Sequence, residues 1–306
     1  MNSIDEMPNS TPVLYLIFNR PEKVKLSFEQ IKKFQPSKLY ISADGPRNDD
    51  DKSAITRCLE IINSLVDWDC EVKINKFEKN LGCKNGVMGG IDWFFSKEEA
   101  GIICEDDVVL ASDFFYFASY ILKKYKNDKS IFMVSADGRA STNNNSSGDY
   151  YCTKYPFIWG WATWRDRWKL VNRNMPELPT ELTDVLNKIS SNRKYQRYWS
   201  ENFKRAYENK IDTWDFHLAF YHFKYQFKTV VPSQNLMKNI GFDAQATHTV
   251  SPNSELDNLK LGHLKPPYKE RFDVVMTKQI DDFNRGFFTR KSVFMRIIRK
   301  IYGFLR

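Results

Sequence analysis

Three successive carboxylates, Glu105, Asp106 and Asp107, stand directly after the apolar run Ile102-Ile103-Cys104. Side by side they repel one another unless a cation or water relieves them. Hard divalent ions such as Mg²⁺ and Mn²⁺ take oxygen ligands and are commonly held by one or two carboxylates together with substrate phosphates. The plainer reading is a solvated acidic turn with Asp107 capping a helix. Polar groups also close two earlier strand-like runs, Asn19 and Arg20 after Pro12 to Phe18 and Asp44 after Lys38 to Ser42. Glycines 82, 86, 89 and 90 surround Lys84 and Asn85, which suits a backbone approaching a phosphate or ribose in front of a helix N-terminus. The spacing is neither GxGxxG nor GxxxxGKS/T, and a glycine-softened helix start explains it without a ligand.

Further along, Asp212-Thr-Trp-Asp215 can supply a general base, or an N-cap with an acid three residues on. Between Tyr155 and Trp168 lie four of the eight tryptophans. Trp159 and Trp161 flank Gly160 on an expected loop, where indole faces can stack on sugar rings, while Trp164 and Trp168 read as packing. His217 and His222 fall in an aromatic helix and read as packed side chains. The five cysteines are scattered without CxxC spacing, which suits reduced structural thiols rather than a disulfide framework or a zinc site.

The elements that must position these groups alternate. The expected order is a strand over 12–18, a helix over 22–34, a strand over 38–42, a helix over 53–66, a strand over 70–75, a helix reaching Phe95, and a strand over 101–104. Such alternation argues for right-handed βαβ units and a mostly parallel sheet. Ligands of such sheets bind at the carboxyl ends of strands, where the strand order reverses. The second half reads as a helix from Ser112 to about Tyr125, a strand over 131–135, a polar loop over 141–149, helices over 181–189, 194–208 and 212–227, a strand over 227–231, and a loop over 234–263.

The chain has 306 residues with 42% hydrophobic and 27% charged side chains, in the range of globular proteins. Its net charge is +8, but seven basic residues and no acidic one lie from Arg285 to the end, leaving +1 on residues 1–284. This distribution argues against a nucleic-acid partner, since the expected cleft is acidic. Apolar residues recur at helical spacing from Val293 to Leu305 with Arg296, Arg299 and Lys300 between them. The tail 285–306 is therefore expected to lie on an anionic membrane surface, or to dock on the protein body or a second subunit. No run approaches the ~18 apolar residues of a membrane span, and the polar, acidic start argues against a secretory signal. A cytoplasmic protein, peripheral on the inner face of the membrane, is expected.

The run EDDVVLASDFF from Glu105 to Phe115 resembles the metal-binding segment of GT-A glycosyltransferases, closest to the inverting N-acetylglucosaminyltransferases of N-glycan and O-mannose glycan synthesis. Phe18-Asn19-Arg20, Ser42-Ala43-Asp44-Gly45, Val134-Ser135-Ala136, Gly160-Trp161 and Trp214-Asp215-Phe216 match in the same order, over about residues 12–220. Small bacterial sugar transferases of this general type are also similar. The resemblance implies a GT-A, Rossmann-like fold as a single domain over 1–284, with a nucleotide-sugar half (about 11–107) and an acceptor half (108–284). It further implies Asp107 on Mn²⁺ or Mg²⁺, Asp106 at the ribose or sugar with Glu105 in support, Arg20 and Asp44 at base and ribose, and Asp215 as general base with Asp212 as the alternative. Asn19 departs from the acidic residue usual at its position. His248 is expected to touch metal or diphosphate, and Trp159, Gly160 and Trp161 an acceptor.

The expected activity is thus a metal-dependent, inverting transfer of a sugar from a nucleotide-diphosphate sugar, a UDP-sugar by expectation, to a glycan or lipid-linked acceptor in bacterial surface polysaccharide synthesis. The alternative is a nucleotidyltransferase that makes activated sugars on a related fold, although Asn19-Arg20-Pro21-Glu22 is not the glycine-rich, basic loop usual after its first strand.

Overall fold

A computed structural model describes residues 9–139, 148–241 and 260–270. In chain order the elements are β1 (Val13–Ile17), α1 (Pro21–Phe34), β2 (Lys38–Ala43), α2 (Asp49–Leu65), β3 (Glu71–Lys76), α3 (Gly82–Lys97), β4 (Ala100–Glu105), β5 (Val108–Leu110), α4 (Ser112–Lys124), β6 (Ile131–Ser135), β7 (Tyr150–Thr153), β8 (Trp161–Trp164), α5 (Arg165–Trp168), α6 (Leu178–Ile189), α7 (Arg193–Tyr207), α8 (Asp215–Lys224), β9 (Lys228–Pro232) and β10 (Met237–Asn239). Eight strands form one sheet in the order β3-β2-β1-β4-β8-β6-β9-β7. Strands β1 to β4 are mutually parallel, β8 runs antiparallel between β4 and β6, β9 is parallel to β6, and β7 closes the edge antiparallel. This is the α/β class expected, a mostly parallel central sheet flanked by helices. The amphipathic helix expected over 285–306 lies outside the described residues.

Burial on both faces explains why β1 is a continuous apolar run rather than an alternating one. Val13, Tyr15 and Ile17 pack with residues of α1, α2 and α4, while Leu14 and Leu16 face α3 and the tryptophans. Helix α1 buries Val24, Phe28, Ile31 and Phe34 on one stripe, starts with proline at a first-turn position, and ends where Gln35 turns left-handed at φ 52°. Helix α2 begins at Asp49, ahead of the expected Ser53. The side chain of Asn48 accepts the Asp51 N–H at 2.8 Å, and Asp49 to Asp51 sit where the helix dipole favours negative charge.

Four strands were not expected from the sequence. The tryptophan-rich segment contributes β8 to the middle of the sheet, β7 forms the edge, and β5 pairs antiparallel with β10 across more than a hundred residues. Helices α6 to α8 enclose a separate aromatic core around Trp199, Phe203 and Phe220. No described helix is long and apolar enough to cross a membrane.

Candidate functional site

Strand order reverses between β1 and β4, so their connections leave in opposite directions and open a cleft at the carboxyl ends. The cavity there measures about 490 Å³ and is lined by Arg20, Asp44, Glu105, Asp106, Asp107 and Asp215 among others. Strand β4 ends at Glu105, which delivers the next two carboxylates to the rim. Asp106 is buried, at 5% exposure. Its backbone N–H donates to Leu16 O at 3.0 Å, and its carboxylate accepts the Phe18 N–H at 3.0 Å. Arg20 spans the pair, donating to Asp107 at 2.9 Å and reaching Asp106 at 3.4 Å.

Burial and the neighbouring Asp107 push the Asp106 carboxyl up to about 6, against the opposing pull of Arg20. The Glu105 carboxyl is raised well above its ordinary range by burial and by Asp107 and Asp106. Three crowded acids with a single bridging guanidinium form a donor set suited to a hard cation. Among the described residues no group of three or more His, Cys, Asp and Glu side chains could enclose a metal by itself. A cation here would therefore draw on one or two carboxylates and complete its shell from ligand oxygens and water.

Asp44 sits on the neighbouring strand end. Its carboxylate accepts the N–H groups of Gly45 at 2.8 Å and Leu81 at 2.9 Å and the Asn80 amide at 3.0 Å, and burial raises its carboxyl. Gly86 is required beside it, because a Cβ there would lie 2.9 Å from Asp44 Cγ. Gly90 similarly lets α3 close on Ser42 and Leu16. Those glycines serve helix packing. The N-terminus of α3 is taken by Asp212, which accepts the N–H groups of Cys83 at 2.7 Å and Lys84 at 2.9 Å. Asp212 therefore caps a helix far from it in sequence rather than its own. Asp215 opens α8 and accepts the Phe216 N–H at 2.8 Å and the Thr213 hydroxyl, with its side chain on the cleft wall.

Several residues expected at a ligand lie elsewhere than on the cavity wall. Asn19 is not among the residues lining the cavity, and its amide donates to Asp51 at 2.6 Å. Lys84 bonds Asn209, and neither it nor Asn85 lines the cavity. Trp161 is fully buried and stacked on Trp214 at 5.7 Å, so its faces are spent within the core. Gly160 is buried, and at φ 75° it makes room for Leu110, so it too is structural. Of the three residues expected at an acceptor, Trp159 alone reaches the cleft, with the Arg139 guanidinium 4.8 Å over its ring. His248 lies outside the described residues. His217 and His222 are buried, and burial lowers them to about 4 and about 3, which keeps both neutral.

Sequence reasoning missed Arg47, which lines the cavity and is held by Asp51 at 2.6 Å, and the strand β10, which brings Ile240 and Gly241 just beyond it onto Asp107. Ile240 N–H donates to Asp107 O at 2.7 Å, and a Cβ on Gly241 would come within 2.6 Å of Asp107 Oδ2.

No family model and no curated protein matches the chain. Among solved structures it is similar to UDP-glucose pyrophosphorylase complexed with UDP-glucose, at 8% identity and a TM-score of 0.38 over 73% of this chain and 90% of that one. It is also similar to 4-diphosphocytidyl-2C-methyl-D-erythritol synthase from Anaerococcus prevotii DSM 20548, at 9% identity and 0.32 over 53% and 75%. The inositol-1-phosphate CTP transferase from T. maritima is a third, at 10% and 0.22 over 50% and 57%. All three are nucleotidyltransferases, and this corrects the expectation of a glycosyltransferase. At these identities the neighbours' substrates are theirs alone.

Proposed function

We propose that the cleft is the site of a cation-assisted nucleotidyltransferase that makes an activated sugar. An oxygen of a sugar phosphate would attack the α-phosphorus of a nucleoside triphosphate, forming the P–O bond of a nucleotide-diphosphate sugar as the bond to the β-phosphate breaks and pyrophosphate leaves. The observation that carries this reading is the Asp106–Asp107 pair, held at the end of a central parallel strand and bridged by Arg20.

Asp107 and Asp106 would hold Mg²⁺ or Mn²⁺, and the triphosphate would supply the remaining oxygens. The bound ion would offset charge on the reacting phosphates. Arg20, released from the carboxylates, would pair with phosphate oxygens in its place, and Arg47 adds a second cation on the same wall. Asp44, anchored by two backbone N–H groups, is placed at the ribose by this reading. The turn Asn19-Arg20-Pro21-Glu22 has no glycine; the triphosphate charge therefore falls to these two arginines and the ion instead of a phosphate-binding loop.

Incubation with a panel of nucleoside triphosphates and sugar phosphates, with Mg²⁺ or Mn²⁺ and a coupled pyrophosphate assay, tests the reading. Pyrophosphate release should need both substrates and the cation, and should disappear in Asp107→Asn. Absence of release with every pair would sink it.

A further inference from the structure

A second cavity of about 490 Å³ lies at the opposite end of the sheet, by the amino ends of β1 and β4. Strand β4 alone puts roughly 17 Å between it and the cleft. Six cationic side chains line it: Lys123, Lys126, Lys129, Arg165, Arg167 and Lys169. Two carboxylates, Glu99 and Asp166, oppose them.

Arg167 forms the fixed part. It is 2% exposed, donates to the carbonyl oxygens of Tyr125, Lys126 and Asp128 at 3.2, 2.8 and 3.2 Å, and stacks 4.1 Å over the Trp164 ring. It thereby satisfies the Lys126 carbonyl just beyond the end of α4 and adds a second donor to those of Tyr125 and Asp128, which also accept the N–H groups of Asp128 and Ile131. Its Nε is buried and has no hydrogen-bond partner among the described residues. The carboxylate paired with it at 2.7 Å, Asp166, is half-exposed and shared with Lys129. Among the described residues the Glu99 carboxylate meets only Lys126, at 3.5 Å, and both of those side chains are largely exposed. Lys123 and Lys169 reach the cavity from the last turn of α4 and the end of α5.

Helix C-termini favour cations, which accounts for one or two of these residues. Six around one concavity, with one guanidinium buried and anchored, exceed what capping needs and leave a concentrated positive field. We infer that this cavity is an anion site, separate from the cleft, for a phosphate-bearing ligand: a soluble polyphosphate or the head group of an anionic phospholipid. Ser10, Thr11 and Asn127 add hydrogen-bonding groups on the wall, and Pro12 and Leu122 an apolar floor.

Calorimetric titration of the full-length protein with pyrophosphate in EDTA, and sedimentation with phosphatidylcholine vesicles with and without phosphatidylglycerol, test the inference. The comparison variants are Lys123→Ala/Lys126→Ala/Lys169→Ala, all exposed positions, and Asp107→Asn. Salt-sensitive pyrophosphate binding is expected in the wild type, weakened at least about tenfold by the triple substitution and retained in Asp107→Asn. Vesicle binding lost in the triple variant, without pyrophosphate binding, would assign the site to lipid head groups. If the triple variant binds both probes as the wild type does, or the wild type binds neither, the inference is overturned. Failure of nucleotidyl transfer would leave these measurements untouched, because they need no cation and no turnover.

Discussion

At the carboxyl ends of β1, β2 and β4, six carboxylates and two arginines face one cavity; at the amino ends of β1 and β4, six cations and two carboxylates face another of equal volume. The same strands run between them, so the sheet does not set the difference. The cleft draws its charge from the residues just beyond the strand ends, where the chain leaves the sheet and side chains project past its edge. The opposite cavity draws on the last turns of α4 and α5, where open carbonyls attract bases. On the readings proposed above, one end would take a cation carried with phosphate and the other an anion alone.

The largest effect that would separate the two ends is expected from Asp107→Asn, which should lower nucleotidyl transfer about a thousandfold, on the order of 4 kcal/mol of transition-state stabilisation. The triple lysine substitution should leave that rate within about twofold, the expectation for a site removed from the reacting groups. Steady-state pyrophosphate assays of both variants measure this contrast, and a comparable loss in each would merge the two regions into one site.

Arg167→Leu should destabilise the fold by about 3 kcal/mol in urea denaturation, since it strips Lys126 O of its donor, removes the second donor of Tyr125 O and Asp128 O, and leaves Asp166 to Lys129 alone. A neutral result would make the buried guanidinium dispensable and weaken the picture of a built cavity.

The acidic cleft carries a smaller, pH-dependent cost. The Asp106 carboxyl titrates near 6 when folded, against an ordinary 3.8. The folded state therefore binds its proton more tightly, and the stability this provides is present below about pH 4 and lost as pH rises through about 6. Asp106→Asn should flatten the stability curve over that interval, as followed by denaturation between pH 4 and 7; an unchanged slope would show that other groups set it.

The smallest effect is expected at Asp212→Ala, which frees the first N–H groups of α3 and should cost about 1 kcal/mol. Hydrogen exchange localised to Cys83 and Lys84 would identify the lost cap, and unchanged protection there would return Asp212 to a role of its own in the cleft.

Much of the first half was legible because its signals are local. Pro21 at a helix start, the apolar stripe of α1, and polar residues after apolar runs all depend on near neighbours, and they placed Arg20, Asp44 and the three carboxylates at strand ends. The tryptophan segment misled because a buried strand and a ligand-binding loop share the same aromatic composition; only pairing with β4 and β6 shows that Trp161 belongs to the core.

The alternation of strands and helices and the acidic end of β4 were determined by the sequence alone, since both arise from periodicity and chain direction. Tertiary structure decided the rest: that β8 enters antiparallel, that Asp212 caps α3, that Gly241 closes on Asp107, and that bases from α4, α5 and the segment after α4 surround one cavity. Each joins residues far apart in the chain, and their meeting depends on how whole helices and strands pack.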